Sequence, residues 1–136
     1  MRLVIDSSVF VSSIGIDDEF TKTSRLFFRK IINEQVFVPS LVVAEILTIV
    51  GKQKKKSVAS LLRYFFSLIL IPLNQEFLNY FAKHLPTTTS LKTSDFIIAI
   101  TAKMHKSLLI TWDSKLLSSA GKICQVLTPG DYLKQE

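Results

Sequence analysis

Four carboxylates bound or interrupt apolar runs of this chain, and a fold that accommodates all four is tightly constrained. Asp6 ends Leu3-Val4-Ile5. Glu45 lies inside Leu41-Val42-Val43-Ala44-Glu45-Ile46-Leu47. Asp95 opens Phe96-Ile97-Ile98-Ala99-Ile100, and Asp113 closes Leu108-Leu109-Ile110-Thr111-Trp112. A buried, unpaired carboxylate is strongly unfavourable or stays protonated. One shared counter-ion best explains four of them set against core-forming segments. Hard divalent cations such as Mg²⁺ take oxygen ligands and keep waters, which suits a site open to phosphate. The expectation is a metal-dependent phosphodiesterase.

Around the acids the pattern alternates. Arg2 to Ile5 reads as a buried strand, Thr21 to Asn33 as a helix, and Val36 to Pro39 as a strand stopped by proline. Ser40 caps a helix to about Val50, with Gly51 as its stop. Lys54 to Ser67 reads as a helix and Leu68 to Leu73 as a strand. Asn74 caps a helix to about Leu85, followed by a polar loop at Thr87 to Ser90. Thr93 or Ser94 caps a helix to about His105. A strand at Leu108 to Thr111, a short helix at Ser114 to Ser119 and a strand at Ile123 to Leu127 complete the chain. Strands alternating with helices imply an α/β fold with a parallel sheet covered on both faces. Ligands of such sheets bind outside the carboxyl ends of the strands. Asp6 and Asp113 follow strands directly, and Glu45 sits one to two turns into a helix, where a longer side chain can reach back. Asp95, at the start of a helix, is not brought to the crevice by topology alone.

Composition sets the bounds. With 136 residues, 48% of them hydrophobic, the chain is expected to form one domain over 1–136. Its single cysteine, Cys124, excludes an intramolecular disulfide and a cysteine-rich zinc site and fits a reducing compartment. The most apolar stretch, Tyr64 to Leu73, contains Pro72 and is far shorter than the ~20 residues that cross a bilayer. With no secretory leader read at the start, the expected location is the cytoplasm, without a membrane partner. The net charge of +6 suits a polyanionic substrate, though it is also an ordinary solvation charge.

Each acid also has a plainer reading. Asp6 can cap the next turn, and Glu45 can share a solvated stripe with Thr48 and Lys52. Asp95 can be a first-turn acid favoured by the helix dipole, and Asp113 an N-cap. Four independent caps in this order are harder to obtain than one site. His84 and His105 read as end-of-helix residues, and Trp112 as core more readily than as a platform for a base. Phe27-Phe28 and Tyr64-Phe65-Phe66 place rings on different helix faces, so some are expected at the surface.

At this point the chain resembles the PIN domain nucleases along nearly its whole length. Asp6-Ser7-Ser8-Val9-Phe10 resembles the opening Asp-x-Ser block. Pro39 to Ile46 resembles the helix that bears the Glu, and Ser94-Asp95-Phe96-Ile97-Ile98-Ala99 the third block. Leu109-Ile110-Thr111-Trp112-Asp113 resembles the strand ending Thr-x-Asp. The resemblance implies a five-stranded parallel sheet and Mg²⁺ or Mn²⁺ at Asp6, Glu45, Asp95 and Asp113. It also implies hydrolysis of RNA, a toxin role in a VapBC-type toxin–antitoxin pair with an antitoxin partner, and a homodimer. Ser8 and Thr111 would hold carboxylates in place. Ser114, Lys115 and Leu116 follow Asp113, where some relatives carry a further acid.

For an RNA substrate, Lys52, Lys54, Lys55 and Lys56 are candidate phosphate contacts, with a solvated loop as the plainer reading. Arg25, Arg29 and Lys30 form a second candidate patch. Competing functions are a DNA nuclease, a non-catalytic RNA- or protein-binding module of the same fold, and an aspartyl-phosphate phosphatase. The last usually wants an Asp two residues after the first, where this chain has Ser8.

Overall fold

The computed structural model describes residues 1–14, 18–53, 58–86 and 90–135. Five short strands form one sheet: β1 (Arg2–Ile5), β2 (Gln35–Pro39), β3 (Ile69–Ile71), β4 (Leu108–Ile110) and β5 (Val126–Leu127), in the order β3-β2-β1-β4-β5. Every pairing is parallel. Parallel strands need covering on both faces, and the central strand obeys: Leu3, Val4 and Ile5 have no exposed surface.

The described residues also form eight α-helices: α1 (Ser7–Ile14), α2 (Thr21–Lys30), α3 (Ser40–Gln53), α4 (Val58–Phe66), α5 (Gln75–His84), α6 (Thr93–Met104), α7 (Ser114–Ser119) and α8 (Pro129–Lys134). The helix α6 lies along β1, β2 and β4 with α5 packed on it, while α1, α2, α3, α4 and α8 pack as a second group. Phe10, Phe28 and Phe65 join α1, α2 and α4, with ring centroids 5.1 and 5.2 Å apart. Of the suspect rings, Phe27 and Phe65 are buried, Phe28 is half-buried, and Tyr64 and Phe66 are exposed.

Several boundaries differ from the sequence reading. The helices α1 and α8 were not foreseen. For α8 the signal was present: Thr128 accepts from the Asp131 N–H at 3.0 Å and donates to its carboxylate at 2.9 Å, with Pro129 in the first turn. Gly51 does not stop α3. No glycine among the described residues takes a positive φ, so nothing there makes a helix-ending turn. Ser40 is the first residue of α3, and its hydroxyl donates to the Ile71 carbonyl at 3.2 Å, tying the helix start to β3. Thr93 and Ser94 lie inside α6, because the Lys92 carbonyl already accepts from Phe96 N–H at 3.1 Å. The helix α2 ends at Lys30, before Asn33, with a turn closed by Glu34 N–H on the Ile31 carbonyl. Asn74 does cap α5, accepting from Phe77 N–H at 2.9 Å. The start of the expected helix at Lys54 and most of the loop from Thr87 lie outside the described residues.

Candidate active site

The strand order reverses direction between β1 and β4, one leading outward to β2 and the other to β5. A parallel sheet opens a crevice at such a point, outside the carboxyl ends. Asp6 immediately follows β1 there, and Asp113 follows β4 by three residues. The two strand ends stay paired beyond their last strand residues, with Asp6 N–H donating to the Ile110 carbonyl at 3.0 Å.

A set of hydroxyls fixes Asp6. Both Ser8 Oγ and Thr111 Oγ1 donate to its Oδ2 at 2.8 Å. Each hydroxyl in turn accepts a backbone N–H: Ser8 from Trp112 at 3.1 Å, and Thr111 from Asp113 at 2.9 Å. A hydroxyl that accepts an amide proton has its own proton aimed elsewhere, and here both are aimed at one carboxylate oxygen. Charge-assisted bonds of this kind are about twice as strong as neutral ones. Oδ1 of Asp6 has only the longer contact from Ser7 Oγ, 3.5 Å.

Asp113 is at once an N-cap and a member of the acidic group. Its Oδ1 accepts from Lys115 and Leu116 N–H at 2.8 and 3.1 Å. The capping reading therefore holds for this residue, and both capping bonds fall on a single oxygen. Asp95 is buried in the first turn of α6, and Glu45 is half-buried on α3. Among the described residues, neither carboxylate is fixed by a hydrogen bond, and Glu45 Oε1 is buried with no partner.

The charges of the four acids act on one another. Burial pushes the Glu45 carboxyl above its ordinary value, with Asp6 and Asp95 adding to the rise and Lys92 opposing it. Burial likewise raises Asp95. Lys92 opposes that rise, Asp113 and Asp6 add to it, and Lys115 opposes it. The sequence reading missed both lysines. Their signal was adjacency: Lys92 precedes the Asp95 block, and Lys115 follows Asp113.

Among the described residues, no three Asp, Glu, His or Cys side chains converge closely enough to enclose an ion as they stand. The donor chemistry nonetheless fits a hard divalent cation: all-oxygen ligands, mutual repulsion that a cation would relieve, and an orphaned buried oxygen on Glu45. Asp6 is held by its hydroxyls.

Lys52 is in the last turn of α3, about 10 Å of helix beyond Glu45. Because α3 starts at the carboxyl end of β2, its far turn leads away from the crevice. Lys54, Lys55 and Lys56 lie outside the described residues. Trp112 is stacked on Phe20 with centroids 4.3 Å apart, and its indole N–H donates to Ser24 Oγ at 2.8 Å. It ties the segment after β4 to the start of α2. Arg25 and Arg29 border an apolar groove of about 340 Å³ between α1, α2 and α4, while Lys30 reaches the Leu133 and Gln135 carbonyls. His84 and His105 both stand at helix ends.

The chain belongs to the PIN domain family, which matches residues 3–122. Solved structures share the fold. VapBC2 of Rickettsia felis, bound to a DNA fragment from its promoter, is 21% identical with a TM-score of 0.65, covering 94% of this chain and 98% of that chain. FitAcB of Neisseria gonorrhoeae is 19% identical with a TM-score of 0.68, covering 94% and 98%. Mycobacterium tuberculosis VapC20, a sarcin-ricin loop cleaving toxin, is 11% identical with a TM-score of 0.67, covering 85% and 93%. No curated protein sequence matches.

Proposed function

We propose that this chain is a divalent-metal-dependent endoribonuclease and the toxin of a toxin–antitoxin pair, acting as one catalytic domain. The observation that carries the reading is the grouping of Asp6, Glu45, Asp95 and Asp113 at the β1/β4 reversal, with Asp6 pinned by two hydroxyls. Asp6, Asp95, Asp113 and Glu45 would hold Mg²⁺ or Mn²⁺. When bound, the ion activates water and offsets the charge that gathers on the phosphate.

The chain's own residues do the rest. Ser8 and Thr111 keep the Asp6 carboxylate oriented. Glu45 has the longest side chain of the four and a carboxyl raised by burial, which suits it to accept the proton of the attacking water. The water oxygen bonds to phosphorus, its proton passes to Glu45, and the P–O bond to the departing sugar oxygen breaks. That oxygen takes a proton from solvent.

A protein partner is supported by a further solved neighbour, from Klebsiella pneumoniae, which is 17% identical with a TM-score of 0.70 and is a toxin–antitoxin complex by name. The groove between α1, α2 and α4, lined by Phe10, Phe28 and Phe65 and edged by Arg25 and Arg29, would seat an apolar, acidic antitoxin segment. Exposed Leu73, Leu78 and Leu85, on and beside α5, offer a surface for a second copy in a homodimer. No helix among the described residues is long and apolar enough to cross a membrane, which is consistent with work in the cytoplasm.

The test is cleavage of RNA and DNA by purified protein with Mn²⁺, Mg²⁺ or EDTA, beside Asp95→Asn. The reading expects metal-dependent RNA cleavage, absent in the folded variant. A preference for DNA would make the chain a DNA nuclease. RNA binding with no cleavage under any metal would make it a binding module.

A further inference from the structure

A pocket acidic enough to hold a divalent ion repels the phosphates of its own substrate, and those on either side of the scissile bond have no ion of their own. Two lysines stand where they could offset this. Lys92 is the N-cap residue of α6, exposed, and its side chain takes no part in capping. Lys115 is exposed in the first turn of α7, and its backbone N–H is bonded to Asp113 Oδ1 at 2.8 Å. Their side chains therefore leave from the opening turns of two separate helices, one beside Asp95 and the other beside Asp113.

The field of Lys92 reaches Glu45 and Asp95, and that of Lys115 reaches Asp95, in keeping with their places beside Asp95 and Asp113. Neither closes an ion pair. The pairs formed among the described residues are Met1 with Glu34 and Lys134 with Asp131. Lysines this close to carboxylates, yet not neutralised by them, remain available to an anion.

We propose that Lys92 and Lys115 form a phosphate clamp that holds the RNA backbone on either side of the scissile bond and draws it across the carboxylates. The clamp rests on the ribonuclease reading. It assigns the substrate contacts to the mouth of the site, in place of Lys52 at the far end of α3.

The test is steady-state cleavage of a fluorescent, unstructured RNA oligomer in Mn²⁺ at a series of KCl concentrations. Wild type is compared with Lys92→Gln/Lys115→Gln and Lys92→Arg/Lys115→Arg, and Mn²⁺ affinity is measured for each by calorimetry. The double Gln variant should raise KM about 10-fold or more with kcat little changed. The dependence of log kcat/KM on log salt should flatten by about 1.4, at roughly 0.7 per lost contact to a single strand. The Arg variant should restore both.

A wild-type KM and salt slope in the Gln variant, with cleavage intact, would overturn the clamp and leave the nuclease reading standing. So would a change confined to Mn²⁺ affinity, which would show that the lysines only tune the acids. Failure of wild type to cleave any RNA would sink the nuclease reading first, and the clamp with it.

Discussion

The two ends of the sheet handle charge in opposite ways. At the amino end, unlike groups close on each other. The Met1 ammonium bonds Glu34, Arg2 Nη1 donates to the His105 carbonyl at 3.4 Å, and the His105 ring stacks on Phe37 at 4.7 Å between centroids. At the carboxyl end, like groups are held together: two carboxyls are raised by burial and neighbouring acids, and Glu45 Oε1 is left buried without a partner. Both ends belong to the same five strands, so strand geometry does not explain the contrast. His105 Nε2 at the amino end is also buried without a partner, but among the described residues it is the carboxyl end where acids raise one another's carboxyls, which is what a binding site demands.

The largest effect expected is on Asp95→Asn, which should abolish metal-dependent cleavage. The same change removes a repelling charge, so the melting temperature in EDTA should hold or rise. The matching change at the amino end, Glu34→Gln, should leave cleavage intact and cost no more than about 1 kcal/mol, as a partly exposed pair does. Cleavage assays and thermal melts on both variants would break the comparison if the losses were reversed.

Thr111→Val comes next. Thr111 is fully buried, donates to Asp6 and accepts from Asp113 N–H. Its loss should cost about 1–3 kcal/mol in chemical denaturation, as for an unsatisfied buried group. Mn²⁺ affinity should fall about 10–100-fold by calorimetry, as for other residues that orient ligands.

The ends should also respond to acid in opposite directions. Raised Glu45 and Asp95 values mean that the fold favours their protonated forms. In EDTA their contribution is most favourable below the unfolded values, about 4, and is lost as pH rises through the raised ones. Acidifying from neutral therefore relieves strain at this end, while weakening Mn²⁺ binding, which needs deprotonated ligands. Burial and Arg2 lower His105, with Glu76 opposing. Its contribution is full above about 6.5 and is lost as pH falls. Melts in EDTA between pH 5 and 7.5 should show Asp95→Asn losing the acid-side gain and His105→Gln losing the acid-side loss.

The smallest effect is expected at the amino end. Lys106 has φ 49°, a left-handed conformation that costs any residue with a Cβ. Lys106→Gly should stabilise the protein by up to about 1 kcal/mol in denaturant titration, with cleavage unchanged.

The alternation of strands and helices was legible because apolar runs broken by polar residues translate directly into buried parallel strands. The helix α1 was not: it is only 8 residues long and follows the Asp6 block without a break. The four acids stood out because charge is conspicuous inside apolar runs. Lys92 and Lys115 did not, since a lysine near a helix start is ordinary until the fold brings its neighbours together. Helix direction was also invisible in the Lys52 run, and it is what carries that lysine away from the crevice. The double use of Asp113, cap and acidic neighbour, shows why the plainer readings of single residues did not exclude a shared site.

The central claim is that these four acids share one cation. The most direct measurement is an anomalous difference map from crystals grown or soaked with Mn²⁺. The account predicts a peak within about 2–2.6 Å of oxygens from Asp6 and at least two of Glu45, Asp95 and Asp113. A peak bound elsewhere, or a well-ordered site with no peak at millimolar Mn²⁺, would contradict it.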